Sequence, residues 1–270
     1  MEQSFTVIKN PVFSMAKIIA VANQKGGVGK TTTSVNLAAA LAISEKSVLL
    51  IDLDPQANAT SGLGIENPEA VIYDCLIKNT PTKDIIIQTQ ISGFHLLPSG
   101  SDLAGAEVEL AEISGRETIL QKVVSEVIDQ YEFIILDCPP ALGLLTVNAL
   151  AAAHTVLIPV QCEYYAMEGL GRLIQNIDRV RNSFNPQLEL EGILLTMWDA
   201  RLTLSKQVSD EVRKFFGEKV YKSMIPRNVA LAEAPSYGRP GLLYNPASSG
   251  SKAYLEVSKE LLEHGEKSVR

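Results

Sequence analysis

Short apolar runs alternate along this chain with stretches whose apolar positions step by three and four. The runs predict strands at 17–22, 47–53, 94–98, 133–137, 155–160, 190–196 and 220–225. The stepped stretches predict helices at about 31–43, 103–112, 116–130, 143–152, 167–182, 204–216 and 251–264. Val48-Leu49-Leu50-Ile51 and Phe133-Ile134-Ile135-Leu136 are apolar at every residue, as strands buried on both faces require. The alternation predicts a doubly wound α/β fold, a mostly parallel sheet with helices on both faces and chemistry at the strands' carboxyl ends. No repeat or low-complexity linker divides the chain, so residues 15–266 read as one domain, preceded by an irregular N-terminal extension at 1–14.

Between the first strand and the first helix lies Lys25-Gly26-Gly27-Val28-Gly29-Lys30-Thr31-Thr32. A strand, a glycine-rich turn and a helix N-terminus make a phosphate cradle: backbone N–H groups converge on the oxygens and the helix dipole favours their charge. In such a P-loop Lys30 supplies a mobile cation and Thr31 a hydroxyl for Mg²⁺. An ordinary P-loop has glycine where this chain has Gln24, and this loop carries a second lysine, Lys25. A dinucleotide loop is excluded by Thr32, which stands where a third small residue would be needed. The site is one for a nucleoside triphosphate.

Two buried-strand patterns end in acid, the first running into Asp52-Leu53-Asp54-Pro55-Gln56 and the second into Asp137-Cys138-Pro139-Pro140. A carboxylate at such a strand end is costly unless it meets a cation or solvent. Beside a bound phosphate, Asp137 suits Mg²⁺ and Asp54 suits positioning of an attacking water, which is most of what phosphoryl transfer asks of a protein.

These stretches, with Pro159-Val160-Gln161-Cys162-Glu163-Tyr164-Tyr165-Ala166 and Ile225-Pro226-Arg227-Asn228, resemble the ParA/Soj family of partition ATPases over about residues 15–265. Lys25 matches the signature lysine of that family's deviant Walker A motif. The resemblance implies a P-loop ATPase that is slow and Mg²⁺-dependent, forming an ATP-bound sandwich dimer in which Lys25 reaches the partner's nucleotide. Crossed cations would turn repulsion between two facing triphosphates into a clamp. It also implies that Pro226, Arg227 and Asn228 lie near the adenine, with Thr196-Met197 flanking the pocket. The ATP dimer would bind DNA without sequence preference, and a ParB-like centromere-binding protein would stimulate hydrolysis. Such a protein would be cytoplasmic and nucleoid-associated, serving a chromosome or a plasmid.

The chain's formal charge of −7 argues against a generally basic nucleic-acid coat. Residues 199–252, however, hold nine Lys/Arg against five Asp/Glu, leaving 15 against 26 elsewhere. One local basic surface is therefore expected. Arg201 matches a family arginine implicated in DNA contact, and Arg213, Lys214 and Lys222 could extend the surface through salt-sensitive phosphate contacts. Lys206 and Lys219 read as solvated positions. The family often carries another arginine where this chain has Ala230.

Rival readings are a MinD-like membrane-associated ATPase and a nucleotide switch regulating replication initiation. The first calls for a basic amphipathic C-terminal helix. Here Ala253, Val257 and Leu261 form a stripe while Glu256, Glu260, Glu263 and Glu266 fill the polar side, so the helix is expected to pack on its own domain without a membrane role. Cys75, Cys138 and Cys162 have no metal or redox spacing, and no apolar run approaches membrane-spanning length.

Overall fold

The computed structural model describes residues 16–268, so the expected extension at 1–14 lies outside the described residues. The chain opens with β1 (Lys17–Val21), α1 (Lys30–Ile43), β2 (Val48–Asp52), α2 (Asn58–Gly62) and α3 (Ile72–Lys78). A short β3 (Ile87–Gln88) and β4 (Phe94–Leu97) lead to α4 (Leu103–Leu110) and α5 (Ile119–Ser125). Then come β5 (Phe133–Asp137), α6 (Leu144–Ala152), β6 (Thr155–Gln161), α7 (Ala166–Ser183), β7 (Glu189–Thr196) and α8 (Thr203–Phe216). Two short helices, α9 (Val229–Glu233) and α10 (Gly241–Tyr244), precede the long α11 (Ser249–Ser268).

Among the described residues seven strands form one sheet in the order β3-β4-β2-β5-β1-β6-β7, parallel except for edge strand β3. The pleat divides each strand between two cores. Ile18, Ala20, Leu49 and Ile51 face the helices α3 to α8, while Ile19, Val21, Val48 and Leu50 face α1 and α11. This is the doubly wound, mostly parallel architecture expected from the alternation of elements. Strand β1 lies between β5 and β6. The loop after β1 therefore stands at the middle of the sheet's carboxyl edge, flanked by the ends of β5 and β6.

Residues 220–225, expected as a strand, are not one. The segment runs beside β7 with a bridge at Val220 and bonds from Tyr221 N to the Ile193 carbonyl and from Ile225 N to the Leu195 carbonyl, each 2.9 Å. Between these, Lys222 N and Ser223 N turn to the Glu260 carboxylate on α11, at 2.7 and 3.1 Å. Two donors in succession leave the ladder, and the strand is interrupted. The helix expected at 116–130 is likewise broken, since Val127 adopts φ −131° to bury its side chain after α5 ends. Of the expected C-terminal stripe, Val257 and Leu261 are buried in the α1-side core and Ala253 packs against it partly buried, while the neighbouring Tyr254 is buried as well. Among the described residues no helix is long and apolar enough to cross a membrane.

Gly192 lets the 217–221 segment cross β7. A Cβ there would meet the buried Tyr221 ring at 2.6 Å and the Lys219 carbonyl at 3.0 Å. Gly192→Ala is expected to cost about 1–3 kcal/mol of stability through overpacking, seen as a lower urea midpoint at unchanged m-value.

Candidate functional site

The glycine-rich loop is pinned from both sides. Asn23 Nδ2 donates to the Pro159 carbonyl on β6 at 2.7 Å, and the Asn23 side chain accepts from Lys25 N at 3.0 Å. Thr196, the last residue of β7, donates its hydroxyl to the Val28 carbonyl at 2.8 Å. Gly27 and Gly29 take φ of 73° and 88°, which favours glycine at both positions. Helix α1 then starts at Lys30, presenting the unpaired N–H groups of its first turn to the loop.

Gly26, Gly27, Gly29, Lys30, Thr31 and Thr32 line a cavity of about 500 Å³ whose far side includes Asp54. Asp54 is only 7 % exposed, and its Oδ1 accepts from Gln56 N at 3.0 Å. Lys30 is equally covered, with Nζ 3.3 Å from the Lys25 carbonyl. Burial lowers the pKa of its ammonium, against the opposing pull of Asp137, Cys138 and Asp54. Val28, also expected at the site, is not part of the cavity lining: its side chain is buried and its carbonyl accepts from Thr196. Pro226, Arg227 and Asn228 line a smaller cavity of about 160 Å³ that shares Gly29 and Thr32 with the first. Thr196 and Met197 complete its wall. Asn228 also has structural duties, its Oδ1 capping α9 at Leu231 N (3.2 Å) and its Nδ2 donating to Ser249 (3.0 Å).

Asp137 ends β5 and pairs in register with Asp52 at the end of β2. Both are fully buried. Burial first, and then the Asp52 charge, pushes the Asp137 carboxyl up to about 7; burial pushes Asp52 to about 6 against three hydrogen bonds that pull it down. Asp137 Oδ1 accepts from Ser34 Oγ at 2.8 Å, and Thr31 lies beside the same carboxyl. Its Oδ2 is buried without a partner. A hydroxyl, a carboxylate with a free oxygen and an adjacent phosphate cradle fit Mg²⁺, which takes one or two protein oxygens and completes its shell with phosphate and water. Among the described residues no cluster of three or more His, Cys, Asp or Glu side chains could hold a metal by itself.

Lys25 lies outside the cavity lining. Its exposed ammonium forms an ion pair with Glu163, two residues beyond β6. The DNA candidates are separate again, around α8. Arg201 is 87 % exposed but grips Asp199 through two side-chain bonds of 2.9 and 2.6 Å. Lys214 and Lys222 are exposed. Arg213 departs from the free cation expected of it: it is half-buried, and its guanidinium donates to the Tyr221 and Lys222 carbonyls at 3.0 and 3.3 Å. Ala230, the position where the family often has arginine, is 9 % exposed.

Sequence reasoning missed Ser34, Glu163 and Arg239. Ser34 follows Thr31 by one helical turn, so a buried strand-end acid in need of donors could have pointed to it. Glu163 follows a strand as Asp54 does. Arg239 lines the larger cavity from a turn 200 residues downstream of the loop, and only the fold brings it there.

Comparisons with known proteins place the chain in a family. A sequence model of the AAA domain matches residues 16–190. The sporulation initiation inhibitor protein Soj of Bacillus subtilis (strain 168) is 53 % identical over 253 residues, covering 93 % of this chain and all of that protein. The chromosome partitioning protein ParA of Myxococcus xanthus (strain DK1622) is 49 % identical over 251 residues, covering 92 % of this chain and 89 % of its own. Among solved structures, cobyrinic acid a,c-diamide synthase of Mycobacterium smegmatis, with bound ADP and magnesium, superimposes with TM-score 0.82 at 37 % identity. It covers 95 % of this chain and 97 % of the other.

The paired acids give the ligand-free protein a pH signature. Both carboxyls are held above their unfolded pKa, so their contribution to stability is fully present below about pH 4 and is lost as pH rises through about 6 to 7. Asp52→Asn is expected to reduce that decline by on the order of 2 kcal/mol. Urea denaturation of both proteins at pH 5 and pH 8, without nucleotide or Mg²⁺, measures it; equal declines would show that the pair does not set the slope.

Proposed function

The chain belongs to the Soj/ParA family of chromosome-partitioning ATPases, and from that premise we propose that it is an ATP-gated dimerisation switch acting on DNA. The observation that carries the reading is the convergence of Lys30, Thr31 and Asp54 on one cavity of about 500 Å³, with Asp137, a buried carboxylate with an unpaired oxygen, close to Lys30 and Thr31. In this reading the amides at the start of α1 and the Lys30 ammonium bind the β- and γ-phosphates. Thr31 and Asp137 hold Mg²⁺, which when bound neutralises phosphate charge. Asp54 orients the attacking water through a carboxylate fixed by its own turn. Pro226, Arg227 and Asn228 receive the base in the adjoining cavity. Slow hydrolysis acts as a timer.

Lys25 leaves Glu163 to meet the partner's nucleotide, and the ATP dimer so formed binds DNA without sequence preference. Arg201, Lys214 and Lys222 supply phosphate contacts, with Arg213 bracing the Tyr221–Lys222 backbone. A ParB-like centromere-binding protein stimulates hydrolysis and resets the dimer, which works in the cytoplasm on the nucleoid. The buried apolar stripe of α11 supports DNA over a membrane surface, because that stripe is already occupied by the protein's own core.

The test compares binding to a non-specific duplex with ATP, ADP and no nucleotide, beside liposome sedimentation under the same conditions. Tight binding to DNA only with ATP is expected; ATP-dependent liposome binding instead would overturn the reading. Lys25→Ala should keep monomer nucleotide affinity and lose the ATP-dependent dimer, and a normal dimer in sedimentation with a slowly hydrolysed analogue rules out the bridge. Arg201→Glu should weaken DNA binding about tenfold or more while sparing dimerisation. Loss of one phosphate contact per subunit lowers the slope of log affinity on log salt by about 0.9 each, nearly two per dimer. An unchanged slope moves the surface elsewhere.

A further inference from the structure

Asp54 sits in a loop, yet both of its backbone groups are held by buried side chains. Its N–H donates to Asp52 Oδ1 at 3.1 Å, and its carbonyl accepts from Ser99 Oγ at 2.8 Å. The two anchors are joined through Thr60. Its hydroxyl donates to Asp52 Oδ2 at 2.8 Å and accepts from Ser99 N at 2.9 Å, while its own N–H donates to Asp52 Oδ2 at 3.0 Å. Asp52, Thr60, Ser99 and Asp54 thus close a hydrogen-bonded ring with no member more than 7 % exposed.

The ring crosses between two strands. Asp52 ends β2, and Ser99 lies two residues beyond β4, whose Leu97 pairs in register with Ile51. A rigid sheet edge therefore fixes both sides of the residue that faces the phosphate cavity. The bond satisfies the buried Ser99 hydroxyl, but its acceptor does not depend on it. The Asp54 carbonyl already accepts from Ala57 N at 2.8 Å, so it would not be orphaned without Ser99. What the second bond adds is direction, since it fixes the tilt of the Asp54 peptide and hence where the carboxylate points.

We propose that Ser99, acting with Thr60, is a positioning residue that aims the Asp54 carboxylate at the attacking water. The proposal rests on the reading of Asp54 as the water-orienting group. Misplacement of a catalytic group by about 1 Å costs up to a hundredfold in rate while leaving ground-state phosphate contacts intact. Ser99→Ala is thus expected to lower kcat for ATP hydrolysis about tenfold with ADP affinity and KM within about twofold of wild type.

The experiment uses the full chain with Mg²⁺ and ATP, and measures kcat, KM, ADP affinity and Tm for Ser99→Ala, Thr60→Val, Thr60→Ser and Asp54→Ala. Thr60→Val removes the hydroxyl that joins the anchors and should follow Ser99→Ala; Thr60→Ser restores it and should recover turnover. The valine–serine pair carries the test if Ser99→Ala fails to fold. A wild-type kcat in Ser99→Ala beside an inactive Asp54→Ala overturns the positioning role and leaves the reading of Asp54 standing. Parallel loss of kcat, ADP affinity and Tm, unrelieved in Thr60→Ser, assigns the ring to stability and also overturns the proposal. Wild-type turnover in Asp54→Ala removes the reading of Asp54 itself, and the ring's role with it.

Discussion

Two aspartates buried side by side at the centre of the sheet are the constraint from which the rest follows. Asp52 and Asp137 are register partners on neighbouring strands, and neither has water to share its charge. Isolated carboxylates in such a place would be prohibitive. Thr60 and the Asp54 amide meet Asp52; Ser34 meets Asp137; one Asp137 oxygen is left without a partner. A proton on the pair, or a cation at the end of the sheet, meets the charge that remains. β1 emerges beside Asp137, since Val21 is its register partner on that side, and the loop after β1 brings Lys30 within its field. Burial still lowers the lysine's pKa despite the neighbouring Asp137 and Asp54, so desolvation outweighs their attraction. Each bound phosphate or cation then interacts strongly, because little water screens it.

This constraint also explains which parts of the molecule could be read from the sequence. β1, β2, β5 and β6 are apolar on successive residues because both faces are covered, and the acids at 52 and 137 interrupt those runs where the sheet ends. The glycine-rich loop is local, so its strand, turn and helix were legible together. The interrupted segment at 220–225 was not, because its two missing ladder bonds go to Glu260, 37 and 38 residues away. Ser99 and Thr60 carry no pattern of their own; their meaning comes from Asp52 and Asp54 across a strand pair. α2, α9 and α10 are four or five residues long, too short for periodicity to register. Arg213 looked like a surface cation because nothing in a sequence tells which carbonyls a guanidinium will find.

If Lys25 bridges two subunits as proposed, the contact it makes in the single subunit suits that role by its low cost. Its ion pair with Glu163 is nearly half exposed at both partners. Exposed pairs of this kind contribute about 0–1 kcal/mol. Glu163 can therefore park the ammonium without retaining it against the much larger charge of a triphosphate. A buried partner would have made the transfer costly, and no partner at all would leave a flexible lysine to order at the moment of association. The same logic applies to Arg201 and Asp199, whose bidentate pairing leaves the arginine preformed but locally neutralised. In the proposed DNA contact, phosphate would have to compete with Asp199 for that guanidinium, so several phosphates acting together would be needed.

The nucleotide cavities and the basic surface share one stretch of backbone. Pro226 and Asn228 line the smaller cavity, Arg239 and Gly241 the larger, and Lys222 lies four residues before Pro226. That stretch is tied to α1 by Gly241 N donating to Asn36 Oδ1 at 2.8 Å, and to α11 through Asn228 and Ser249. Helix α1 begins at Lys30 itself. Hydrogen bonds thus join α1 and the cavity-lining segment without crossing the sheet, which is the route by which nucleotide state would reach the surface in the proposed function. Ala230 lies within this stretch and is buried. Ala230 is itself part of α9, and its small side chain keeps that helix packed where an arginine would have to reach solvent. If the proposed DNA contact holds, the cations that flank α9 would carry it, and pairing two subunits would matter more because each copy alone presents fewer charges to the duplex.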